Sequence, residues 1–201
     1  MTSQHELELE RATEELMNNH MDPTHDYSHV LRVRKLALKI AKTIPGINIS
    51  IVSYGALLHD ILDHKLVKDP KKVEERFRLL LLAMFTFAEV NKIMLIVKNV
   101  SYSKERKGEV KESFPELHVV QDADKLDAMG GMGIARCIGF GCQRGNPLIG
   151  ENSCISHFED KLFHLKKYIK TEEGKKLAKK RHSRLKMFYD WVQEENEYAS
   201  N

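Results

Sequence analysis

The chain has 201 residues, 30% of them charged and 42% apolar, with a formal net charge of +3. That length suffices for one well-filled core, and so small a net charge gives no footing for a nucleic-acid polymer or a membrane surface as partner. The longest apolar run, Leu79 to Phe85, is far short of the roughly 20 residues of a membrane span.

The opening residues Met1-Thr2-Ser3-Gln4-His5-Glu6 carry neither a basic nor an apolar leader segment. Cys137, Cys142 and Cys154 are odd in number and lack C-x-x-C spacing, so neither a disulfide framework nor a zinc knuckle is expected. A cytoplasmic protein is the expectation.

From about Ser3 to about Met21, Leu7, Leu9, Ala12, Leu16 and Met17 repeat at helical spacing. Asp22-Pro23-Thr24-His25-Asp26 reads as a turn. A second helix follows, marked by Val30, Val33, Leu36, Ala37, Ile40 and Ala41 and ended by Pro45-Gly46. His29 falls on its apolar stripe, four residues before Val33, and His25 lies one turn earlier. Asn48 or Ser50 caps a third helix running to about Leu62. Asp69-Pro70 has the form of an N-cap followed by proline at the first helical position. A further helix starts at Thr86, and Ser101 to Lys111 reads as a charged surface loop.

Pro115 opens a segment in which Val120, Asp124, Asp127 and Ala128 share a face. Asp122 is about 200° round from Asp124 on a helix, so the two are not both expected to point inward. Met129 to Cys142 is glycine-rich without any nucleotide-binding fingerprint, and fits tight helix packing followed by a loop to about Ser153. From Cys154 onward two helices are expected, split near Thr171. The second carries Leu177, Leu185, Phe188 and Trp191 opposite a lysine- and arginine-rich face. No alternating strand and no internal repeat is present, so the fold class is all-α.

The informative stretch is Ala56-Leu57-Leu58-His59-Asp60-Ile61-Leu62-Asp63. An ionised carboxylate beside an imidazole in an apolar run costs several kcal/mol, roughly, unless it is paired or holds a metal. His29, His59, Asp60 and Asp124 come from three expected helices, each on or beside an inward stripe. Two imidazoles and two carboxylates suit a hard-to-borderline divalent ion with open water positions. The other reading of the same residues is separate core histidines and helix caps. Asp63, one helical turn after His59, is expected to point the same way.

The order His29…His59-Asp60…Asp124 resembles the HD superfamily of metal-dependent phosphohydrolases. His29-Val30-Leu31-Arg32-Val33, Leu57-Leu58-His59-Asp60-Ile61 and Ala123-Asp124-Lys125-Leu126 are similar to its three motif segments. Within the superfamily the chain resembles the YpgQ- and YedJ-like branch, through His25-Asp26-Tyr27-Ser28-His29, the segment Gln121 to Gly130, Gly133-Ile134-Ala135-Arg136 and His157 to Leu162.

The resemblance implies one HD-type helical bundle over 1–201, with a metal-binding core at about 22–130 and C-terminal helices at about 154–198 packed on it. It implies His29, His59, Asp60 and Asp124 as metal ligands, with Asp122 as an alternative contact. The implied metal is divalent, manganese before magnesium, iron, cobalt or nickel. Asp63 stands where several HD hydrolases keep a glutamate that handles the water's proton, one methylene shorter here, and Asp60 joins it in the catalytic set. His25, Lys125, Arg136 and Lys161 are the candidates to neutralise substrate phosphate. The implied reaction takes a nucleoside triphosphate to monophosphate and pyrophosphate. A nucleoside monophosphate phosphomonoesterase and a non-catalytic metal- or nucleotide-sensing module are the alternatives. Apolar residues on the last helices are compatible with a homodimer.

Overall fold

The computed structural model of the protein describes residues 3–18, 26–64 and 67–199. Among them every regular element is helical: α1 (Gln4–Asn18), α2 (Tyr27–Ala41), α3 (Ile49–Leu57), α4 (Pro70–Leu82), α5 (Phe87–Asn99), α6 (Tyr102–Arg106), α7 (Pro115–Asp127), α8 (Gly130–Gln143), α9 (Ser156–Asp160), a 3₁₀ helix (Leu162–Tyr168) and α10 (Glu172–Ala199). No helix among the described residues is long and apolar enough to cross a membrane. The backbone divides into two compact units, Met1–Ala123 and Asp124–Asn201. The division falls inside α7, so one continuous helix contributes to both.

Helix starts follow the local chemistry of the sequence. The Asn48 side chain accepts from the Ile51 amide at 3.1 Å, and Asp69 accepts from Lys72 at 3.1 Å with Pro70 as the first residue of α4. Thr86 and Glu89 form a reciprocal capping box on α5. Helix ends are less regular. α2 stops at Ala41, ahead of Pro45, because the Thr43 and Ile44 amides close back on the Ile40 and Ala41 carbonyls at 3.0 Å. α6 occupies part of the expected loop between Ser101 and Lys111.

In the first unit, α3 packs against both α2 and α5. Val30, Val33, Ala37 and Ile40 on α2, Ile51, Val52 and Ala56 on α3, and Val90, Ile93 and Ile96 on α5 are all buried. Burying each of the larger side chains contributes about 1.5–3 kcal/mol. Gly55 lets α3 and α5 approach, since a Cβ there would lie 2.7 Å from Ile96 Cδ1. The first turn of α7 is tied in by Glu116, which accepts from Lys92 Nζ at 2.9 Å and from the Asn48 amide at 3.4 Å. α1 is held by Arg34, whose guanidinium donates to Glu10 at 2.6 Å and to Ser53 Oγ at 2.9 Å.

In the second unit α8 packs on α10. Gly130 adopts φ +72, and a Cβ on Gly133 would fall 2.3 Å from the Ala128 carbonyl oxygen. Arg181 donates to the Leu126 carbonyl. The first of the two expected C-terminal helices is instead the short α9 followed by the 3₁₀ helix, and α10 begins just past Thr171. Trp191, expected on the apolar face of α10, is 55% exposed, whereas Leu185 is buried.

Candidate metal centre

Asp26 caps α2, accepting from the His29 amide at 3.2 Å while Ser28 Oγ donates to the same carboxylate oxygen at 2.6 Å. The cap fixes the first turn of the helix, and His29 projects from that turn into the interior with 1% of its surface exposed.

His59 is positioned differently from the expectation. α3 ends at Leu57, with Leu58 leaving helical geometry at φ −103, ψ 4. His59 and Asp60 therefore sit in a turn, closed by the Ile61 amide on the Leu58 carbonyl at 3.1 Å and the Asp63 amide on the Asp60 carbonyl at 3.0 Å. His59 Nδ1 donates to the Ala56 carbonyl at 2.8 Å. That bond fixes the ring orientation and directs Nε2 away from the Ala56 carbonyl.

The result is a triangle of donor atoms. His59 Nε2 lies 3.2 Å from His29 Nε2 and 3.2 Å from Asp60 Oδ2, and His29 Nε2 lies 3.5 Å from the same oxygen. Ligands around an ion at about 2.1 Å lie about 3.0 Å apart when octahedral neighbours and about 3.4 Å apart when tetrahedral. Two of the observed spacings fall between those values and the third is about 0.1 Å above the larger, and two imidazoles with a carboxylate are a borderline-hard donor set. The residues present fit a divalent cation. α7 carries Asp124 one turn before its end.

Burial alone would raise the Asp60 carboxyl. The positive charge of His59, with hydrogen bonds from His29 and His59, outweighs it and holds the group well below the usual carboxylate range. The carboxylate is thus kept in the form a cation requires.

The remaining residues fall out as follows. Asp63 is on the same turn as His59 rather than one helical turn beyond it, is one-third exposed, and lies 3.4 Å from His64 Nδ1. Asp122, expected to face away from the interior if Asp124 faced it, is fully buried, because α7 is enclosed around its circumference. Lys125 is 1% exposed and so is no surface lysine. Arg136 is committed to Asp127, Nη1 to Oδ2 at 2.9 Å, within the second unit. Lys161 ends α9 in that same unit. His25 lies outside the described residues. Sequence reasoning missed the cap on α2 and the Ala56 carbonyl. The first had a signal, an aspartate three residues before His29; a backbone acceptor has none.

A family model described as HD domain matches residues 26–129. The chain belongs to the HD-domain family. Among relatives, YpgQ of Bacillus subtilis (strain 168) is 34% identical over 166 residues, covering 82% of this chain and 80% of that protein. The crystal structure of B. subtilis YpgQ in complex with ADP matches with a TM-score of 0.79 at 26% identity, over 94% of this chain and 96% of that one. A Lactobacillus plantarum structure matches over 100% of both chains with a TM-score of 0.81 at 27% identity. An HD-superfamily hydrolase from Bacillus thuringiensis matches with a TM-score of 0.75 at 26% identity, over 94% of this chain and 95% of that one.

Proposed function

We propose that this HD-family protein is a divalent-metal-dependent phosphohydrolase that takes nucleoside triphosphates to monophosphates and pyrophosphate. The observation carrying the proposal is the buried triangle of His29 Nε2, His59 Nε2 and Asp60 Oδ2, which suits a divalent ion and no purely structural need. The nucleotide part is supported by the relative crystallised with ADP.

In this reading His29, His59, Asp60 and Asp124 hold the cation. A bound divalent ion lowers the pKa of its water and polarises a phosphoryl oxygen. Asp63, on the same turn as His59 and part-exposed, receives the proton of the attacking water. Lys125 and Arg136 balance the charge of substrate phosphates, with His25 and Lys161 as further contributors. The family match crosses the division at Ala123, which supports reading 1–201 as one HD-type domain.

The test is hydrolysis of a nucleotide panel by manganese-loaded protein, with phosphate and pyrophosphate measured separately. Pyrophosphate with monophosphate, lost in Asp60→Ala, is the expected result. Phosphate alone points to a phosphomonoesterase, and metal binding with no hydrolysis points to a sensor; either overturns the proposal.

A further inference from the structure

Three thiols gather in the second unit, where the chain leaves α8 and returns to it. Cys142 is exposed in the last turn of α8, Cys154 is buried at the far end of the following loop, and Cys137 is intermediate. Backbone bonds pin the loop at its base. The Asn146 amide donates to the Gly141 carbonyl at 2.9 Å, Cys154 to Pro147 at 2.9 Å, and Ile155 to Leu148 at 3.1 Å.

The Cys154 thiol presses on the backbone of Gly141. A Cβ at Gly141 would lie 2.3 Å from Cys154 Sγ and 3.7 Å from Cys154 Cα. Cys142 is the next residue along α8, one position from the backbone the Cys154 thiol lies against. A disulfide needs Cα separations of about 4.4–6.8 Å, and the Cys154 thiol already lies against the residue adjoining Cys142. The Cys137 Sγ donates to the Cys154 carbonyl at 3.4 Å, and the Cys154 Sγ to the Ile138 carbonyl at 3.8 Å. Burial pushes the Cys137 thiol up to about 11, so it stays neutral and unreactive.

We propose that Cys142 and Cys154 form a reversible disulfide, driven by a hydroperoxide, that clamps the loop between them to the end of α8. Exposed Cys142 meets the oxidant first: its sulfur attacks the peroxide, the O–O bond breaks, a sulfenic acid forms and the peroxide leaves as alcohol or water. The Cys154 sulfur then attacks the Cys142 sulfur; the S–S bond forms, the S–O bond breaks, and the departing hydroxide takes up the Cys154 proton as water. Burial raises the Cys154 thiol, which spares it from direct oxidation and leaves it as the resolving group.

The experiment treats full-length reduced protein with hydrogen peroxide, blocks remaining thiols with iodoacetamide, and locates the modified cysteines by mass spectrometry. Free thiols fall from three to one, a dithiothreitol-sensitive link joins Cys142 and Cys154 within one chain, and Cys137 is alkylated. Cys137→Ser retains the link and Cys142→Ser abolishes it. On a non-reducing gel, trypsin cleavage after Arg144 leaves the fragments of oxidised wild-type protein joined. Irreversibly oxidised Cys142 beside an alkylated Cys154, a bridge to Cys137, or a link between two chains each overturns the proposal.

Discussion

The two histidines of the candidate site are each aimed by a bond to the backbone. His59 is oriented through Nδ1 on the Ala56 carbonyl, and His29 through a helix start that Asp26 caps. Outer partners of metal ligands are worth about 10–100-fold in affinity or activity, so removing a ligand costs more. Asp60→Asn, which keeps the shape and removes the charge, is expected to weaken manganese binding by more than about 100-fold, read by isothermal titration. Asp26→Ala is expected to destabilise the fold by about 0.5–2 kcal/mol in urea and to weaken metal binding as well. If Asp63 takes the water's proton, Asp63→Asn lowers kcat while bound metal per chain is unchanged. Loss of metal in that variant would instead make Asp63 a support of the site.

The helices separate what periodicity reveals from what it does not. Starts at Asn48, Pro70 and Thr86 were legible because a side chain performs the capping. The end of α3 was not, because apolar Leu57, Leu58, Ile61 and Leu62 continue the helical pattern past the point where the backbone stops. The candidate ligands were legible as polar residues on apolar stripes; the positions of Asp63 and Asp122 were misjudged by assuming, respectively, one unbroken helix and one exposed helix face. Glycine spacing marked close approaches without saying what is approached. A Cβ on Gly55 meets the movable end of Ile96, whereas one on Gly133 meets the Ala128 backbone. Gly55→Ala is therefore expected to cost roughly 1–3 kcal/mol and to be partly relieved by Ile96→Val. Gly133→Ala is expected to cost more, with no single relieving change, as urea midpoints will report.

Over the whole molecule, stability is expected to fall towards acid pH in two stages. Burial, then the charges of Lys166 and Lys186, hold the His182 imidazole below its ordinary value. Its contribution is complete above about pH 6.5 and is lost as pH falls from there towards the lowered folded value. Glu74 and Glu116 come next. Burial would raise both, but Lys98 with Arg78 for Glu74, and chiefly Lys92 for Glu116, hold them below the ordinary value of 4.5. Their stabilisation is present above that value and is lost as pH falls through the folded one. Urea unfolding at about pH 7.5, 5.5 and 4 tests the order, and Glu116→Gln should flatten only the lower stage. A cation at about 100 times its dissociation constant adds about 2.7 kcal/mol to the wild type and is expected to add nothing to Asp60→Asn at the same concentration.

The Ala56 carbonyl has a further consequence. In a longer α3 it would receive the amide of Asp60; here the imidazole of His59 takes that place. The imidazole that this oxygen orients thus occupies the acceptor a further turn of helix would use, so extending α3 draws on the same group. Changes that make residues 61–63 better helix formers should show the trade-off directly, gaining ellipticity at the expense of metal affinity.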